Sequence, residues 1–147
     1  MKKILIIGYT WPEPNSTGAG TRMYQLIQFF SRLDYKITMA SAAAKSEHSA
    51  VFDKIDVEEV PILLNDSSFD EFVSDYKPDV VLFDRFMTEE QYGWRVAENC
   101  NNALRILDTE DLHCLRKSRG EALKKGRKFE VTDVLLSDLA KREIASI

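Results

Sequence analysis

Cysteine, long apolar runs and basic excess are all scarce in this chain, and each scarcity removes a class of protein. The two cysteines, Cys100 and Cys114, stand alone, with no C-x-x-C pair and no histidine at zinc-ligand spacing. That excludes a disulfide framework, gives no reason to expect a metal, and fits buried thiols in a reducing compartment. No apolar run approaches the roughly 20 residues of a membrane span. The opening MKKILIIGYTW starts like a signal peptide, but its apolar run is too short, and proline and charge follow at once. A net charge of −4 provides no basic field for nucleic acid. Internal repeats and low-complexity tracts are missing too. Neither familiar phosphate motif, G-x-x-x-x-G-K-[ST] or G-x-G-x-x-G, occurs at the first strand-to-helix turn. What remains is the expectation of a cytoplasmic protein, or one attached to a membrane only at its surface, with 147 residues, 44% hydrophobic and 30% charged, enough for one domain with a substantial core.

The apolar residues that are present alternate between two patterns. Lys3-Ile4-Leu5-Ile6-Ile7 and DVVLFD at 79–84 are continuous runs of the kind buried on both faces of a sheet, and YKITMAS at 35–41 and ALRILDTED at 103–111 read as further strands, the last running into an acidic turn. Between them apolar residues recur at three- and four-residue spacing. Met23, Leu26, Ile27, Phe30 and Leu33 predict a helix over 20–33, and Phe69, Phe72, Val73 and Tyr76 predict another, capped by Ser67 or Ser68 and stopped by Pro78. A third helix is predicted over 88–101. Val57 to Leu63 reads as a short strand weakened by Pro61, and 42–53 is ambiguous between loop and short helix. Strand and helix in alternation predict an α/β fold: a mainly parallel sheet with helices on both faces.

In such sheets ligands bind at the carboxyl ends of the strands, and three loops there are rich in polar residues. The first, WPEPNSTGAGTR at 11–22, ends in Gly18-Ala19-Gly20-Thr21-Arg22 at a helix start. Glycines admit a ligand close to backbone N–H groups, a helix N-terminus favours anions, and Arg22 suits a phosphate oxygen. Equally, the two glycines only shape a tight entry to the helix. The second loop offers Asp84 and Arg85 for hydroxyls or charged groups, followed by Thr88, Glu89 and Glu90, read as a cap and first-turn acids. The third, Asp108-Thr109-Glu110-Asp111-Leu112-His113, suits acid–base work or hydroxyl recognition, with Thr109 as N-cap the competing account.

The order and spacing of KILIIGYTWPEPNSTGAGTRMYQLIQFFSRLDYKITMAS, KPDVVLFDRF and LRILDTEDLHCLRKSR resemble the amino-terminal half of GT-B fold glycosyltransferases, family 4 in particular. That resemblance implies a Rossmann-like three-layer domain, 1–147, belonging to a longer chain whose carboxy-terminal domain binds most of the donor. It implies transfer of a sugar from a nucleotide-diphosphate donor, with no covalently bound cofactor, to a sugar, lipid-linked or protein acceptor. By the same resemblance Gly18, Ala19, Gly20, Thr21 and Arg22 form the donor-phosphate loop. Asp84, Arg85 and His113 lie on the acceptor side, and Asp108, Glu110 and Asp111 are the catalytic carboxylates. The chain departs from the family in splitting the usual Gly-Gly pair with Ala19 and in carrying Asp108 and Glu110 where many relatives have histidine. Glu90 and Glu98 make a Glu-x7-Glu spacing, read as coincidence because that motif belongs to the other domain. The alternative is a stand-alone flavodoxin-like module that binds a small molecule or nucleotide without catalysis; a receiver domain and a nucleotide-sugar epimerase fit the loops less well.

One segment stands apart. Residues 116–128, RKSRGEALKKGRK, hold seven basic residues and one acidic, +6, so the rest of the chain carries −10. The segment reads either as a solvated, mobile connection between helices or as a contact with anionic lipid, peripheral to a membrane, or with phosphate.

Overall fold

The computed structural model describes all residues from Met1 to Ile147. Five strands, β1 (Lys3–Gly8), β2 (Lys36–Ser41), β3 (Val57–Pro61), β4 (Val80–Asp84) and β5 (Leu104–Asp108), form one sheet in the order β3-β2-β1-β4-β5. Every neighbouring pair is parallel. The helices are α1 (Gly18–Arg32), α2 (Ser68–Tyr76), α3 (Phe86–Asn99), α4 (His113–Lys124), α5 (Thr132–Leu135) and α6 (Asp138–Ala145).

Alternation along the strands builds two cores. Leu5, Ile7, Val81 and Phe83 point to one face, where Phe69 and Val73 of α2 and Tyr92 and Val96 of α3 cover them. Ile4, Ile6, Ile37, Met39, Val80 and Leu82 point to the other, covered by Met23 and Ile27 of α1 and by Trp11. The result is a Rossmann-like three-layer α/β sandwich, as the sequence pattern predicts. Central β4, and β1 from Ile4 onward, are buried because helices cover both faces, whereas edge strand β3 tolerates Pro61 at its end. The ambiguous stretch 42–53, like the three residues after it, forms neither helix nor strand; Phe52 and Ile55 pack onto the α1 face.

Three helix starts differ from the sequence reading. Helix α1 begins at Gly18, and Thr17 caps it, its Oγ1 accepting from Gly20 N at 2.9 Å. Helix α3 begins at Phe86, so Thr88 lies inside it; its buried hydroxyl donates to the carbonyls of Asp84 and Arg85 instead of capping. Helix α4 begins at His113, leaving Thr109 in the loop. For α2, Ser67 stands at the cap position without a side-chain bond, and Asp66 Oδ1 accepts from Ser68 N instead.

Candidate functional site

Strand order reverses between β1 and β4: β2 and β3 lie on one side of β1, β4 and β5 on the other. A crevice opens at such a switch point because the loops leaving the two strands part to opposite faces. The register sets Ile7 beside Phe83, so the chain leaves β1 at Gly8 and β4 at Asp84 side by side. Asp84 and Asp108 are themselves register partners. Two carboxylates therefore stand next to each other at the rim, and two arginines answer them.

Arg22, one turn into α1, grips Asp108 through Nε (3.0 and 3.3 Å) and Nη2 (3.1 Å). Arg85 Nε lies 3.6 Å from Asp84 Oδ1, and its guanidinium rests over the Tyr9 ring at 5.2 Å. That Nε is buried without a hydrogen-bond partner. Asp84 is only 6% exposed and accepts from Tyr9 N at 3.3 Å. Burial pushes its carboxyl above the ordinary range, with Asp108 and Glu110 adding to the effect; Arg85 and the Tyr9 amide oppose it without cancelling it. Arg85 has φ 74° and ψ 156°, a conformation essentially reserved for glycine, and its N–H donates to Asp108 O at 2.8 Å. Strain of this kind persists only where the surroundings over-determine it.

The glycine loop is ordered by its own bonds and by the 42–56 segment beside it. Trp11 is buried and donates from Nε1 to Ala43 O at 2.7 Å, Ala50 N donates to Pro12 O, and Thr21 Oγ1 donates to Pro14 O. The two glycines have different reasons to be there. A Cβ on Gly20 would fall 2.4–2.5 Å from the backbone N, C and O of Glu13, so Gly20 exists to let the loop cross the helix. A Cβ on Gly18 would meet nothing within 4 Å. The N–H groups of Gly18 and Ala19 make no hydrogen bond, whereas Gly20 N is taken by Thr17 and Thr21 N by Thr17 O. The loop thus keeps two free amides at a helix N-terminus.

The third loop is drawn into a separate network. Asp111 Oδ2 pairs with Arg116 at 2.9 Å, and Asp111 Oδ1 lies 3.0 Å from His113 Nδ1 without the alignment of a hydrogen bond. His113 sits edge-on to buried Phe86. Glu143 of α6, 1% exposed, accepts from His113 N at 2.9 Å and Cys114 N at 2.8 Å, capping α4 from thirty residues away. Burial pushes the Glu143 carboxyl up, but the bonds from Cys114 and His113 outweigh it and hold it below its ordinary range. The same neighbourhood, burial first, pushes the Cys114 thiol up. Glu110 sits at φ 61° and its carboxylate has no hydrogen-bond or ion-pair partner. Glu110, Asp111 and His113 bring one ligand atom each within 4.8 Å of one another and are the residues able to hold a cation, against the charge of Arg116.

Of the residues singled out in the sequence, the fold brings Arg22, Asp84, Arg85 and Asp108 into one rim cluster with Glu110 beside it. Asp111 is held by Arg116 of α4, and His113 meets Glu143 of α6. Sequence reasoning missed Tyr9, Thr17 and Glu143; only Thr17 carried a signal, a hydroxyl residue three positions before Gly20. Glu90, read as a first-turn acid, instead binds Arg142 of α6 at 2.9 and 2.7 Å. No helix is long and apolar enough to cross a membrane. No family model, curated protein or solved structure matches the chain.

Proposed function

We propose that this chain provides the acceptor-side wall of a glycosyltransferase site, in which a sugar passes from a nucleotide diphosphate to an acceptor hydroxyl. The observation that carries the reading is the pair of free amides at Gly18 and Ala19, on a helix end beside a switch-point crevice whose two carboxylates are register partners, each with an arginine beside it. The bond from the anomeric carbon to the diphosphate oxygen breaks, and its electron pair leaves with the diphosphate. The Gly18 and Ala19 N–H groups and the α1 dipole oppose that growing charge. Arg22 adds to it through Nη1, which Asp108 leaves free.

The acceptor oxygen forms the new bond and loses its proton to a carboxylate. Asp84, with its raised proton affinity, and unpaired Glu110 suit that task better than Asp108, which Arg22 holds, or Asp111, which Arg116 holds. Arg85, beside Asp84 at the rim, then orients the acceptor through the exposed part of its guanidinium. The sugar and base of the donor are left to a second domain.

The reading is tested by ligand-observed NMR with the 147-residue chain, using inorganic diphosphate, a panel of nucleotide-diphosphate sugars and simple glycosides. Diphosphate and the donors are expected to compete for one weak site and glycosides to occupy another, with no turnover. Absence of binding by every diphosphate contradicts the reading. Ordinary sugar transfer by this chain alone contradicts its assignment as one wall.

A further inference from the structure

We propose that the outer face of α4 and the turn after it dock on a bilayer that carries anionic lipid. The basic segment begins not as a solvated connection but as a helix, and that changes what it presents. One side of α4 is buried through His113, Cys114, Ser118 and Ala122. On the other side Leu112, the adjacent Leu115 and Arg116, Arg119 and Leu123 recur one helical turn apart, one continuous stripe. The first four share a shallow hollow of about 440 Å³ with Asp111. Leu112 is 51% exposed and Leu123 80%.

The cations around this stripe divide in two. Arg116, Lys117 and Arg127 have carboxylate partners, Asp111, Glu121 and Asp133. Lys124, Lys125 and Lys128 have no carboxylate within 4.0 Å, and Arg119 lies instead over the Phe129 ring at 5.5 Å. Leucines standing in water among unpaired cations are costly in solution and productive at a headgroup boundary. There the leucines enter the acyl edge while lysine stems extend toward phosphates. A solvated linker needs the charge but not the leucines. A nucleic-acid surface needs aromatic or hydrogen-bonding side chains between its cations, and this stripe puts leucine there. The −10 carried by the rest of the chain opposes wrapping by a long polyanion and leaves the one +6 segment to turn toward a negative plane.

The test is co-sedimentation of the 147-residue chain with phosphatidylcholine vesicles, with and without phosphatidylglycerol. Three forms are compared: wild type, Lys124→Gln/Lys125→Gln/Lys128→Gln, and Leu112→Ser/Leu123→Ser, each checked by circular dichroism and melting for an intact fold. Wild type is expected to bind only the anionic vesicles, less so as salt rises. Removing three cations should weaken binding about a hundredfold, at roughly fivefold for each. The leucine variant should weaken it too while leaving the salt dependence in place. Binding that ignores phosphatidylglycerol, or is equal in all three forms, overturns the proposal. So does loss with the lysines but not the leucines, together with equal binding to heparin or RNA, which marks a general polyanion patch.

Discussion

Replacing each helix-entry glycine by alanine separates the two roles that the glycine loop combines. In a helix, Gly→Ala on its own stabilises by about 0.5–1 kcal/mol, because the unfolded chain loses freedom. At Gly18 the new methyl group meets nothing within 4 Å, so Gly18→Ala should realise that gain. At Gly20 the methyl group lies 2.4–2.5 Å from three backbone atoms of Glu13, about 1 Å inside van der Waals contact. Backbone cannot rotate away as a side chain can, and Glu13 O already accepts from Ser16 N and Thr17 N at 3.1 and 3.0 Å. Relieving the clash therefore pulls on the turn that leads into Thr17. Overpacking of this kind costs about 1–3 kcal/mol, which exceeds the intrinsic gain. The two variants should consequently shift the urea midpoint in opposite directions with an unchanged m-value. At about 2–4 °C per kcal/mol, the melting temperatures should part by several degrees. Equal shifts, or a Gly20→Ala protein as stable as Gly18→Ala, would refute the reasoning.

The other predictions concern the rim and the tertiary cap. Arg85→Gly should be more stable than Arg85→Ala by about 1–3 kcal/mol in urea, since both lose the guanidinium and only glycine relaxes at φ 74°; the reverse order contradicts the strain. Glu143→Gln should destabilise by about 1–3 kcal/mol at neutral pH, one amide oxygen replacing two carboxylate oxygens over the His113 and Cys114 N–H groups. The folded Glu143 carboxyl is held below its unfolded value, about 4.3. Its contribution is therefore complete above that value and lost as pH falls through the folded one. Melting at pH 7 and below pH 4 should show the gap between wild type and variant closing on acidification; a gap independent of pH contradicts it.

How much of this was legible in the sequence follows from how local each determinant is. Buried parallel strands announce themselves, because both faces of Ile4–Ile7 and Val80–Phe83 must be apolar; the strands and the first three helices were readable as elements, though not to the residue, while β5 stops at Asp108 and much of 116–128 lies in α4. Helix starts were less so. Thr88 and Thr109 are good caps by type, but α3 starts at Phe86, with Arg85 at the cap position held by its bond to Asp108 O, and α4 is capped by a carboxylate from α6. The candidate loops were readable as polar strand ends, and their pairing was not. Arg22 and Asp108 are 86 residues apart, and nothing in either neighbourhood tells which acid takes the arginine. The difference between Gly18 and Gly20 was equally hidden, since it depends on where Glu13 crosses the helix.

The most direct test of the central claim concerns the Gly18 amide. Proline fits the first helical position, and Thr17, at φ −135° and ψ 148°, already has the conformation that a following proline demands. Gly18→Pro should therefore leave the melting temperature near that of wild type while deleting one free N–H. In amide-resolved NMR, diphosphate should shift Gly18 and Ala19 first in wild type. The proline variant should bind it about tenfold more weakly or worse, the value of one charge-assisted hydrogen bond. Diphosphate that leaves the Gly18 and Ala19 amides unmoved, or binds the proline variant as well as wild type, would contradict the account.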